Sequence, residues 1–75
     1  MALTFRWAHY NATEAIDIER DITLADIIKE KGRKPLYRVF SNRLEGCEEP
    51  RQFNTEEAAR TWVEEAYVKW LSSAV

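Results

Sequence analysis

Apolar residues recur along this chain with two spacings, and each predicts a different element. In the last third, FNTEEAARTWVEEAYVKWLSSA, the residues Ala59, Trp62, Val63, Ala66, Trp70 and Ala74 follow one another at three- and four-residue steps. That period places them on one helical face, so Phe53 to Ala74 reads as a long C-terminal amphipathic helix. Asn54 or Thr55 can cap its first turn, and Glu57 stands at capping-box spacing from Asn54. Phe53 precedes the cap and can fold back as a staple onto Ala58. Such a helix owes its stability to burying its apolar face, so the rest of the chain must supply a surface for the tryptophans.

The first half alternates instead. Leu3, Phe5 and Trp7 interleave with Thr4 and Arg6, the period of a strand. Asn11-Ala12-Thr13 follows as a turn, and Ala15 to Arg20 alternates again, with Ile16 and Ile18 inward and Asp17 and Glu19 outward. A helix from Ala12 to Lys31 is the competing reading, but it would set Ile16 and Ile18 about 200° apart. Thr23 then opens a short helix, LADIIKEK, with Leu24, Ile27 and Ile28 on one face, a capping-box pair in Thr23 and Asp26, and a stop at Gly32. Pro35 ends helical structure, Leu36 to Asn42 reads as the next strand, Leu44 to Pro50 as a loop, and Arg51 to Phe53 as a brief edge strand. In strand 36–42, Tyr37 and Val39 face one side and Leu36, Arg38 and Phe40 the other, and the pattern leaves open which set is core.

The fold class expected is α+β. A small antiparallel sheet of three to four strands, in the order β-β-α-β-(β)-α, packs against the C-terminal helix, and residues 1–75 form one domain. The sheet face expected to meet Trp62 and Trp70 is made of Leu3, Phe5, Trp7, Ile16 and Ile18.

Composition narrows the function. The 75 residues are 45% hydrophobic and 12% aromatic, enough for a compact core in a chain of marginal size. Cys47 is the only cysteine, so no disulfide forms within the chain, and that fits a reducing, cytoplasmic setting. No apolar run approaches the roughly 20 residues of a membrane span. The net charge of −2 argues against a strongly electrostatic nucleic-acid binder. The charge is nevertheless blocked: Glu14 to Asp26 is acidic, Lys29 to Arg43 basic, and Glu45 to Glu65 acidic again.

Enzyme chemistry finds little support. His9 is the only histidine, so no histidine metal set exists. Cys47 lies among Glu45, Glu48 and Glu49, and neighbouring carboxylates disfavour a thiolate. Glu56-Glu57 and Glu64-Glu65 solvate a helix, and two glycines cannot build a phosphate loop. No enzyme, metal or cofactor is expected.

Two partial resemblances touch the chain. YRVFSNRL followed by RQFNTEEAARTWVEEA resembles the strand-to-helix half of small sheet-reading DNA-binding domains, such as AP2-type plant domains and the arm-binding domains of phage integrases. It covers roughly a third of the chain. Its residues are mostly cap, staple and core, and no DNA-contacting residue carries over. Leu3 to Phe40 resembles the opening of a β-grasp (ubiquitin-like) domain through its hairpin, TLADIIKEKG and strand; without a terminal Gly-Gly, carrier chemistry is not implied. Neither assigns the chain to a family.

The leading expectation is a non-enzymatic, cytoplasmic protein-binding module, of the size and composition of phage or mobile-element modulators that inhibit a host or defence protein. Its candidate surfaces are Tyr67, Val68 and Leu71 along the helix edge, which also suit a homodimer, and an acidic strand row of Asp17, Glu19 and Asp21. The alternative is a small nucleic-acid-binding module using the basic block Lys29–Arg43, with Lys31, Arg33, Lys34, Arg38 and Arg43 as contacts. No membrane partner is expected.

Overall fold

The computed structural model describes residues 2–32, 34 and 36–73. Five strands run in chain order: β1 (Leu3–His9), β2 (Ala12–Asp17), β3 (Ile22–Glu30), β4 (Leu36–Phe40) and β5 (Arg51–Phe53), followed by α1 (Glu56–Ser73). The strands form one antiparallel meander in the order β1-β2-β3-β4-β5. The fold class is therefore α+β, with three departures from expectation. The sheet has five strands rather than three to four, the helix expected to follow Thr23 is the nine-residue strand β3, and the C-terminal helix is 18 residues, starting at Glu56, rather than the longer one expected from Phe53.

The reason lies in β3 itself. Ile22, Thr23, Ile27 and Ile28 are β-branched and stiff at χ1, and a helix of so few residues is marginal by itself. As a strand the segment satisfies its backbone in two ladders, with β2 on one side and β4 on the other. Its alternation is hidden by a bulge. Ala25 stands opposite Ala15 but Thr23 opposite Ile16, so Leu24 is the extra residue. That insertion gives Leu24, Ile27 and Ile28 a helix-like spacing. Thr23 and Asp26, expected to cap, instead face Ile16 and Glu14 across the ladder.

A second register difference reverses one face. The β1–β2 turn is tighter than Asn11–Thr13, because Ala12 and Thr13 already belong to β2. Phe5 pairs with Ala15 and Leu3 with Asp17, so the inward row of β2 is Ala15 and Asp17, not Ile16 and Ile18. A one-residue shift exchanges every side chain between faces. Ile18 becomes a turn residue that is 63% exposed, and Ile16 is buried but stands apart from the main core cluster.

That cluster joins Ala15, Ala25, Ile27 and Val39 of the sheet to Leu44 and Cys47 of the β4–β5 loop and to Ala59, Val63 and Ala66 of α1. Val39 with Tyr37 is thus the core side of β4, and Leu36, Arg38 and Phe40 face away. Thr55 caps α1, its Oγ1 accepting the Ala58 N–H at 3.1 Å. Phe53 lies against Trp62, with ring centroids 6.2 Å apart. The helix packs mainly on β3, β4 and β5. It reaches β1 and β2 through two long side chains: the Arg60 guanidinium lies 5.0 Å over the Phe5 ring, and Tyr67 meets Asp17. Ala74, expected on the helix face, and Pro35 lie outside the described residues. No helix among the described residues is long and apolar enough to cross a membrane.

Candidate functional site

Where α1 ends over the β2–β3 turn, the chain buries a carboxylate. Asp17 is 0% exposed and accepts four hydrogen bonds. Oδ1 takes the backbone N–H groups of Glu19 and Arg20, both at 3.0 Å, which fixes the turn. Oδ2 takes the Arg20 guanidinium and the Tyr67 hydroxyl, both at 2.9 Å. Burial by itself pushes this carboxyl up, but the backbone bond, the hydroxyl and the guanidinium together outweigh it and hold the group below the ordinary aspartate value. Burial, then the bond to Asp17, pushes the Tyr67 phenol up. Tyr67 also stacks on Trp70, with centroids 6.1 Å apart, and Arg20 covers the Trp70 ring at 5.8 Å. These contacts tie hairpin to helix.

Two of the expected docking residues are consumed there. Asp17 and Tyr67 are buried against each other, so neither presents the surface expected of it. Glu19 and Asp21 are exposed, but in the turn after β2 rather than in a strand row, with Asp21 at a φ of 56°. Val68 is 50% exposed on the side of α1 away from the sheet, and Leu71 is half-buried. The packing expected of Trp62 and Trp70 is also different, since they meet Phe53, Arg51, Tyr67 and Arg20 rather than Trp7, Ile16 and Ile18.

The opposite end of the β1–β2 hairpin is inverted in character. Trp7 belongs to the helix-facing side of β1, two residues beyond Phe5, and α1 begins too late to cover it. It is 67% exposed, and Tyr10 at the turn is 90% exposed. The Trp7 indole N–H donates to the Tyr10 carbonyl at 2.9 Å, and His9 meets the Tyr10 ring edge-on at 6.1 Å. Tyr10 holds a φ of 48°, a conformation that aromatic residues seldom adopt. Beside this tip a groove is lined by Trp7, Thr13, Ile27, Lys29, Tyr37 and Glu56, and the Lys29 ammonium lies 6.0 Å from the Tyr37 ring. Sequence reasoning placed Trp7 in the core. The signal that could have found it is its position outside the reach of a helix that starts only after Thr55.

The sheet face away from α1 is mixed. Arg6 pairs with Glu14 at 3.4 Å and Arg38 with Glu30 at 2.9 Å. Asp26 lies beside Glu14 in the ladder; burial, then Glu14, pushes its carboxyl up, and His9 opposes them. Arg6 and Arg38 thus share this face with Glu14, Asp26 and Glu30, a poor surface for a polyanion.

The basic block does not come together. Lys31 and Lys34 lie in the β3–β4 turn, Arg38 is paired on the free face, and Arg43 is in a cleft on the helix side. Arg33 lies outside the described residues. Cys47 belongs to the core, where burial above all pushes its thiol up. Among the described residues no group of three or more His, Cys, Asp or Glu is placed to hold a metal ion.

The cleft that Arg43 lines is also bordered by Arg51 and Lys69. It encloses about 440 Å³ between the β4–β5 loop and the C-terminal half of α1. Trp62 and Trp70 bound it along the helix, with Ala66 between them, and Gly46 faces them from the loop at a φ of 88°. A Cβ at Gly46 would stand 3.3 Å from Trp62 Cζ2, so a larger residue would close the wall. Arg51 lies 5.2 Å over Trp62 and donates to the Gly46 carbonyl at 3.3 Å.

The architecture defines a five-stranded antiparallel meander backed by one helix. No family model, curated protein or solved structure matches the chain.

Proposed function

We propose that this chain is a non-catalytic protein-binding module whose contact element is the tip of the β1–β2 hairpin. One observation carries the reading: Trp7 and Tyr10 are exposed to 67% and 90% at a tip that a hydrogen bond has already ordered. Tryptophan and tyrosine dominate binding energy at interfaces because they bury much area at little entropic cost. A tip held in one conformation before contact loses less freedom on binding. Its exposed rings suit an apolar pocket on a partner protein, with Lys29 and Tyr37 meeting the pocket rim. Modulation or inhibition of that partner by occlusion is the form of activity that a contact through an exposed aromatic tip would give.

The test compares capture of a partner from the native host by the wild-type chain and by a Trp7→Ala/Tyr10→Ala variant. Removing both rings is expected to weaken binding by about 2 kcal/mol or more, the scale of interface hot spots. Val68→Glu, on the far side of α1, serves as the control and leaves capture intact. Equal affinity of the folded double variant would remove the tip from the interface. A wild-type dimer that the double variant dissolves would assign the tip to self-association instead.

A further inference from the structure

We propose that the cleft between the β4–β5 loop and α1 binds a phosphate-bearing nucleobase, either a free nucleotide or the end of a single strand. The site lies apart from the hairpin tip, and the inference does not depend on the reading given to that tip. The lining of the cleft matches the parts of such a ligand. Arg43, Arg51 and Lys69 bring three cations to one cleft of a chain whose net charge is −2. Among the described residues none of the three forms an ion pair. Guanidinium and ammonium groups without a carboxylate partner are ready phosphate donors.

The two indoles supply the second part. Trp62 and Trp70 are eight residues apart, about 12 Å along the helix axis, so a slot rather than a closed stack separates them. Ala66 and Gly46 bring no bulky side chain into that slot; Arg51 lies over Trp62, and Tyr67 and Arg20 lie against Trp70, so a base stacks on the indole area that these leave lining the cleft. Base–aromatic stacking tolerates any base, because each has a π face. Glu45 and Glu65 complete the lining, and among the described residues they too form no ion pair. Carboxylates accept from exocyclic amines and sugar hydroxyls. An acidic peptide would satisfy the three cations but meet both carboxylates, whereas a nucleotide uses both signs.

Isothermal titration of the full chain with adenosine and guanosine 5′-monophosphate, inorganic phosphate, oligothymidylate and poly-glutamate tests this. Nucleotide binding at least about tenfold tighter than inorganic phosphate is expected, since stacking contributes about 1–3 kcal/mol per base. Arg43→Glu and Lys69→Glu, both at exposed positions, are expected to weaken it about tenfold or more while the circular dichroism stays unchanged. A mononucleotide as tight as the oligonucleotide identifies the free nucleotide as ligand. A tighter oligonucleotide, with affinity falling steeply in salt, identifies the strand end. No binding of any nucleotide or strand at millimolar concentration overturns the proposal. So do affinity equal to that of bare phosphate, unchanged affinity in both folded charge-reversal variants, or tighter binding of poly-glutamate.

Discussion

The two ends of the β1–β2 hairpin break the usual sorting of residues in opposite directions. At one end an aspartate is fully buried; at the other a tryptophan stands 67% exposed. Both lie on the same side of the sheet, the side that carries α1. The buried charge is accounted for by the fold, since Asp17 has two backbone amides, a guanidinium and a hydroxyl aimed at it. The exposed indole has no such account among the described residues: its N–H is bonded to the Tyr10 carbonyl, and most of its area faces water. An irregularity that the structure satisfies belongs to stability, and one that it leaves unsatisfied is the ground on which the proposed docking at the tip rests.

The largest effect is expected at the satisfied end. Tyr67 is among the largest fully buried side chains, and its hydroxyl is one of the two side-chain donors to Asp17. Tyr67→Ala is expected to cost about 3–5 kcal/mol, close to the whole stability of so small a chain. Tyr67→Phe keeps the stack on Trp70 and removes only the hydroxyl, so its cost is expected to be smaller, about 1–3 kcal/mol. Chemical denaturation measures both. A Tyr67→Phe protein as stable as wild type would show that the Asp17 contact is incidental.

Acid sharpens the same end. The Asp17 carboxyl is held below its ordinary value in the fold, so the folded state favours the ionised form. Its contribution is therefore complete above the unfolded aspartate value of about 4 and is lost as pH falls through the lower folded value. Asp17→Asn cannot lose that contribution to acid. The gap in melting temperature between wild type and Asp17→Asn is expected to be widest near neutrality and to narrow below about pH 4. A gap constant from pH 7 to pH 2 would mean that charge plays no part in the contact.

Some of this was legible in the sequence. The helix from Glu56 to Ser73, its cap at Thr55 and the strands β1, β4 and β5 follow from periodicity and turn chemistry. What was not legible turns on single residues. The extra Leu24 in β3 disguises a strand as a short amphipathic helix. Starting β2 at Ala12 rather than after Thr13 moves Ile16 and Asp17 to opposite sides of the sheet from those expected. Register depends on partners distant in sequence, and local patterns carry no record of them. The cleft was illegible for the same reason: Arg43 and Arg51 meet Trp62, Lys69 and Trp70 only once the β4–β5 loop folds against the helix.

The smallest expected effect lies at the exposed tip, and its sign is the informative part. Tyr10 occupies a left-handed conformation, with φ at 48°, although it is neither Gly nor Asn. Such a conformation costs an ordinary L-residue roughly 1–2 kcal/mol, and Asn tolerates it better. The Tyr10 ring is 90% exposed, so replacing it loses almost no packing. The Trp7 bond goes to the Tyr10 backbone carbonyl and survives the change. Tyr10→Asn is therefore expected to stabilise the chain by up to about 1 kcal/mol while weakening partner capture. A tyrosine kept at the expense of stability is what a binding role demands, in the way active surfaces commonly trade one for the other. A Tyr10→Asn variant that loses stability would show that the ring supports the turn. One that gains stability and binds as before would leave Trp7 alone as the anchor.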